Sequence, residues 1–117
     1  MTLDELAVRL REFAAAREWE QFHTPKNLAM ALAGEVGELL AELQWLTPED
    51  AARVMDDPGA ATRMRSELAD VTIYLVRLAD LLSVDLMEAA RAKLAESECR
   101  YDVENYRGSA RKAPPMY

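Results

Sequence analysis

The stretch Pro25-Lys-Asn-Leu-Ala-Met-Ala-Leu-Ala-Gly-Glu-Val-Gly-Glu-Leu-Leu-Ala-Glu-Leu43 decides the fold. Its apolar residues Leu28, Ala31, Leu32, Val36, Leu39, Leu40 and Leu43 recur with a helical period. Thr24-Pro25 in front supplies an N-cap followed by proline at the first helical position. A helix of about five to six turns, from Pro25 to Trp45, is therefore predicted. Upstream, Thr2 and Glu5 form a capping box ahead of Leu3, Leu6, Leu10 and Phe13, which predicts a helix from Leu3 to Arg17. Downstream, Thr47-Pro48 opens a short helix to about Met55, and Asp56-Asp57-Pro58-Gly59 breaks it. Met64, Leu68, Val71, Leu75, Leu78 and Leu82 then mark a second long helix over 60–82. Asp85 with Glu88 caps a last helix, from Leu86 to Cys99 or Tyr101. Residues 102–117 lack apolar periodicity and read as an extended tail.

Composition agrees with an all-α fold. Half of the 117 residues are apolar, only four are Gly, and Ala, Leu, Glu and Arg dominate. This length makes room for one domain over 1–117. With 14 basic against 21 acidic residues the net charge is −7, which argues against a nucleic-acid partner. The single cysteine, Cys99, forms no internal disulfide and reads as a small buried residue, and Met30 and Met64 read as core. The first residues lack the basic and apolar regions of a secretion signal, and charges interrupt every apolar run. The expectation is a cytoplasmic protein without a membrane partner.

The chemistry lies in two acid pairs. Glu35 and Glu38 are one turn apart on the first long helix, and Glu67 and Asp70 are one turn apart on the second. Each pair is wedged between apolar residues, and Gly34 and Gly37 leave room for close approach. If the two helices pack antiparallel, four carboxylates converge, and their mutual repulsion calls for a cation. Oxygen ligands suit Mg²⁺, with Mn²⁺ possible, rather than zinc; no Glu-x-x-His pair points to iron. Two Mg²⁺ ions would cancel the four negative charges and admit a polyphosphate. The plain alternative is two solvated helix faces. Glu42 lies on the same acidic face, either behind the ligands or simply in water.

Glu35-x-x-Glu38, a gap of 28 residues and Glu67-x-x-Asp70 resemble the metal motif of the MazG-like all-α nucleotide pyrophosphohydrolases. More specific are Arg17-Glu-Trp-Glu-Gln-Phe-His-Thr-Pro-Lys-Asn-Leu28, Gly34-Glu-Val-Gly-Glu-Leu-Leu-Ala-Glu-Leu-Gln-Trp45 and Glu67-Leu-Ala-Asp-Val-Thr-Ile-Tyr-Leu-Val76. These look like the dCTP pyrophosphatase branch. The resemblance implies a helical bundle working as a homodimer or dimer-of-dimers tetramer, with Mg²⁺ on Glu35, Glu38, Glu67 and Asp70. It implies cleavage of a nucleoside triphosphate between the α- and β-phosphates. The implied base pocket is Trp19, His23, Trp45 and Tyr74, with Trp45 offered across a subunit interface. Phosphate contacts carry onto Lys93, Arg107 and Lys112. The chain departs from the family at Ser97, where an Asn is usual, at Asp102, where a Pro is usual, and at Ala113, which follows Lys112 where a Tyr is common.

Glu35 and Glu38 are the expected catalytic residues, with Glu35 as general base. Three readings compete. The first is a dCTP or modified-dCTP pyrophosphohydrolase. The second keeps the fold but acts on dUTP, another noncanonical nucleotide or phosphoribosyl-ATP. The third is a helical oligomer that binds nucleotide without turnover.

Overall fold

In a computed structural model, residues 1–115 are described. They contain helices and no strand: α1 (Leu3–Ala16), α2 (Pro25–Leu43), α3 (Pro48–Ala51), α4 (Pro58–Leu81), α5 (Leu86–Arg100) and α6 (Val103–Tyr106), with a 3₁₀ turn at Val54–Asp56. Side-chain caps set every α-helix start. Thr2 and Glu5 exchange hydrogen bonds with each other's backbone, and Thr24, Thr47, Asp57, Asp85 and Asp102 each accept from the amide three residues on. Proline occupies the first turn of α2, α3 and α4, where its missing N–H costs nothing.

The helix predicted to reach Met55 is in fact two short pieces, α3 and the 3₁₀ turn. In the described part of the expected tail, residues 102–115, the chain is not extended throughout. α6 interrupts it, Ala113 N–H donates to the Tyr101 hydroxyl at 3.1 Å, and Arg100 Nη2 donates to the Ala113 carbonyl at 2.9 Å. Met116 and Tyr117 lie outside the described residues.

The chain divides into two compact units, one spanning Met1–Ser83 and the other beginning at Val84. In the first, α2 and α4 are the principal packed pair, and α1 also packs on α4. Glu42 near the end of α2 pairs with Arg63 near the start of α4 at 3.0 Å. Glu35 and Glu38, earlier on α2, meet Glu67, later on α4. The opposite order of these contacts makes the two helices antiparallel, the arrangement on which convergence of the acids depends.

The buried core is thin. In the first unit it comprises Ala14, Leu28, Ala60, Ala61, Met64, Val76 and Ala79, with Leu28 the one large side chain almost wholly enclosed. Val36, Leu40, Leu68, Leu75 and Leu82, all on the predicted apolar stripes, remain exposed. Two core expectations fail outright: Met30 is 64 % exposed, and Cys99 is exposed. Both sit on faces that no described element covers, a matter of neighbours rather than of helical period. The close approach expected at Gly34 and Gly37 is likewise not made within the chain, since nothing lies within 4 Å of a Cβ placed at either. Among the described residues no helix is long and apolar enough to cross a membrane.

Candidate active site

Antiparallel packing of α2 on α4 brings Glu35, Glu38 and Glu67 together, with one carboxylate oxygen from each lying within 4.8 Å of the others. Asp70 does not complete that tight group. It is close enough, however, for its charge to act on both Glu35 and Glu67. Glu35 Oε2 and Glu67 Oε2 are enclosed and have no hydrogen-bond partner. An enclosed acceptor without a donor is costly, and like charges add to that cost. Desolvation first, then the charges of Glu38 and Asp70, raise the Glu35 carboxyl above its ordinary 4.5. Desolvation and then Glu38 do the same for Glu67. Glu38 is thus the common neighbour in the cluster. An all-oxygen anionic set with two orphaned acceptors fits a hard divalent cation. Glu42 stands apart, held by Arg63 Nε through both of its oxygens.

Beside the acids is a cavity of about 160 Å³ lined by Leu10, Phe13, Trp19, His23, Asp70, Ile73, Tyr74 and Arg77. Three of the four aromatic residues expected at a base pocket therefore meet, and Asp70, whose charge acts on Glu35 and Glu67, lines the same cavity. The connection from α1 to α2 positions two of them. Glu18, at a φ of 55°, ends α1 in a left-handed turn, with Trp19 N–H bonded to the Ala14 carbonyl and Glu18 N–H to that of Ala15. Trp19 then packs edge-on against Phe13 at 5.5 Å. His23 N–H returns to the Trp19 carbonyl, and Asn27 Nδ2 donates to the Phe22 carbonyl. Tyr74 and Arg77 come from the α4 face that carries Asp70.

Trp45 is not among the lining residues. It stands 88 % exposed just beyond α2. Lys93, Arg107 and Lys112 belong to the second unit, where Lys93 pairs with Glu96 at 3.3 Å and Arg107 ends α6. The sequence reading missed Arg77, which is buried and donates from Nε to His23 Nδ1 at 3.1 Å and from Nη1 to Asp80 Oδ2 at 3.2 Å. It also missed Asp80 and Arg11, which form a two-pronged pair at 2.6 and 3.1 Å joining α4 to α1. A signal existed: Arg77 interrupts the apolar run Ile73-Tyr-Leu-Val-Arg-Leu-Ala79 two helical turns after Asp70.

Fold and site together define an all-helical protein with an acidic centre whose oxygen ligands suit a divalent cation, next to an aromatic cavity. The sequence model of the MazG-like family matches residues 31–113, and the chain belongs to that family. It is 44 % identical to dCTP pyrophosphatase 1 of Bos taurus over 95 % of its own length and 66 % of that protein's. The chain thus spans about two thirds of the length of that relative. It is 37 % identical to the dATP/dGTP diphosphohydrolase of Cyanophage S-2L over 77 % of this chain and 76 % of the phage protein. The crystal structure of a pyrophosphatase from Archaeoglobus fulgidus superposes with a TM-score of 0.78 at 37 % identity, covering 85 % of this chain and 91 % of the other.

The crowded carboxylates have a consequence for stability. A carboxyl whose folded pKa is raised takes up protons on folding, so the metal-free protein gains stability from Glu35 and Glu67 as pH falls from neutral through their raised values toward 4.5. His23 opposes this below its ordinary 6.5, because desolvation and then Arg77 hold its pKa down and its protonation favours the unfolded chain. Asp80, whose pKa is lowered by Arg11 first, loses its contribution only below about its ordinary 3.8. Comparison with Glu38→Gln cancels the last two effects. In chelator, the melting temperature of Glu38→Gln should exceed that of the wild type at neutral pH, and the gap should close as pH falls toward 5. A gap that stays constant with pH would mean that the carboxylates do not crowd one another in the folded protein.

Proposed function

We propose that the chain is a Mg²⁺-dependent nucleoside triphosphate pyrophosphohydrolase that converts dCTP or a modified dCTP to the monophosphate and pyrophosphate. The observation that carries this is the position of Asp70, which lines the aromatic cavity while its charge acts on a carboxylate cluster with two orphaned oxygens. A base held in the cavity would leave its phosphates next to the acids. At about 160 Å³ the cavity is smaller than the roughly 300–1,000 Å³ of sites that enclose a whole small molecule, which suits a single base ring. The similarity to the bovine dCTP pyrophosphatase supports cytosine.

Glu35, Glu38, Glu67 and Asp70 would hold the cation. Bound there, Mg²⁺ supplies neutralisation of phosphate charge and a lowered pKa for coordinated water. Hydrolysis forms one bond from a water oxygen to the α-phosphorus and breaks the α–β anhydride, releasing pyrophosphate. Glu35, whose proton affinity is raised by its surroundings, takes the water's proton. Trp19 and Tyr74 stack on the base, and His23 offers it a polar contact. Lys93, Arg107 and Lys112 are assigned to the phosphates on the family resemblance. Function as a homodimer or tetramer is supported by the thin core and by the exposed Val36, Leu40, Trp45 and Leu68, with Trp45 completing a neighbouring subunit's pocket.

The phage relative favours a second reading, in which the same cut is made on purine deoxynucleotides. One experiment separates the two. Pyrophosphate release from dCTP, dUTP, dTTP, dATP and dGTP is measured with Mg²⁺ and with chelator. The expected result is Mg²⁺-dependent release, fastest from dCTP. Equal rates on dATP and dCTP would remove the pyrimidine pocket, and no release from any of them would leave the nucleotide-binding oligomer.

A further inference from the structure

Stacking tolerates every base, so a pocket that discriminates needs polar groups of fixed character. In the cavity beside Asp70 the candidate is His23, and a neutral imidazole is ambiguous, able to carry its proton on either nitrogen. Arg77 removes that ambiguity. A guanidinium has donors only and keeps its charge, so its Nε contact at 3.1 Å makes His23 Nδ1 an acceptor. The proton of the neutral ring then resides on Nε2. Arg77 is itself fixed. Only 6 % exposed, it is bound to Asp80, which Arg11 clamps from α1 through two hydrogen bonds. Desolvation and the adjacent guanidinium also hold the ring's pKa below its usual value.

We propose that Arg77 is a specificity-positioning residue: by donating to His23 Nδ1 it locks the ring as a neutral Nε2–H donor, so the pocket selects bases that present an acceptor. This rests on the reading of the cavity as the base site. Cytosine N3 is an acceptor, whereas N3 of uracil and thymine carries a hydrogen. A locked donor at that edge therefore gains a bond with cytosine and leaves two donors unpaired with the others. Without Arg77 the ring can turn over its tautomer and accept instead, and the discrimination weakens.

His23 is the only histidine in the chain, so its tautomer can be read without ambiguity from long-range ¹⁵N–¹H correlations on the full protein. The wild type should show Nε2–H at neutral pH. Arg77→Lys keeps a positive charge for Asp80 but lacks the planar Nε–H, and it should give a mixed tautomer signal. In the same variant the KM for dCTP should rise about tenfold, the worth of one hydrogen bond to a base remote from the reacting phosphates, with kcat changed far less. Its preference for dCTP over dUTP should fall by a similar factor. Arg77→Met tests the same loss without the charge. An Nδ1–H tautomer in the wild type, or an unchanged tautomer and KM in Arg77→Lys, would overturn the proposal. Trp19→Ala tests the underlying pocket. If it raises the KM for dCTP while Arg77→Lys does not, the role of Arg77 fails alone, and if it leaves the KM unchanged, the base-pocket reading and the proposal fall together.

Discussion

Glu38→Gln should lower the proposed Mg²⁺-dependent turnover of dCTP by about a thousandfold, the scale on which removal of a single charge-stabilising group costs catalysis. Its position argues for so large an effect. The charge of Glu38 acts on both Glu35 and Glu67 more strongly than that of Asp70, and Glu38 contributes an oxygen to the group lying within 4.8 Å. The amide has nearly the same volume but removes one of the negative charges proposed to hold the cation. The loss should come with a stability gain in chelator, because like-charge repulsion in the cluster is relieved. Opposite signs for activity and stability separate a lost ligand from a damaged fold. Circular dichroism with a steady-state assay decides the matter, and near-normal activity with Mg²⁺ would remove Glu38 from the metal site.

Asp80→Asn should destabilise the first unit by about 2–3 kcal/mol. Asp80 accepts from Arg11 and from Arg77, whose side chains are 56 % and 7 % exposed. Breaking a buried ion pair strands the remaining charge at roughly 3–5 kcal/mol. The figure is smaller here because Arg77 retains His23, and the Arg11 side of the pair is open to solvent screening. Chemical denaturation should show a lower midpoint with an unchanged slope. A change below about 0.5 kcal/mol would mean that α1 and α4 do not depend on this clamp.

The helices and their starts were legible in the sequence because caps are local. Thr2, Thr24, Thr47 and Asp85 each act on an amide three residues away, and the prolines that follow Thr24 and Thr47 take the first-turn position, whereas Asp57-Pro58 reads as a breaker and in fact caps α4 two residues before the expected start. The acid pairs were legible for the same reason, since a spacing of three puts two carboxylates on one side of any helix. Burial was less so. Periodicity identified the apolar faces of α2 and α4, but it could not say that Met30, Val36, Leu40 and Leu68 would remain uncovered within this chain.

The sequence by itself determined the all-α class, the starts of α1, α2, α3 and α5 and which carboxylates share a helix face, because each follows from interactions within one or two turns. The tertiary structure decided which faces meet. Antiparallel packing of α2 on α4 joins Glu35 and Glu38 to Glu67, draws Glu42 away to Arg63, and leaves Trp45 outside the cavity that gathers Trp19, His23 and Tyr74. It also decided the state of His23. Arg77 lies 54 positions away in the chain, and a hydrogen bond across that separation depends on how α4 is rotated against the α1–α2 connection, which no local spacing encodes.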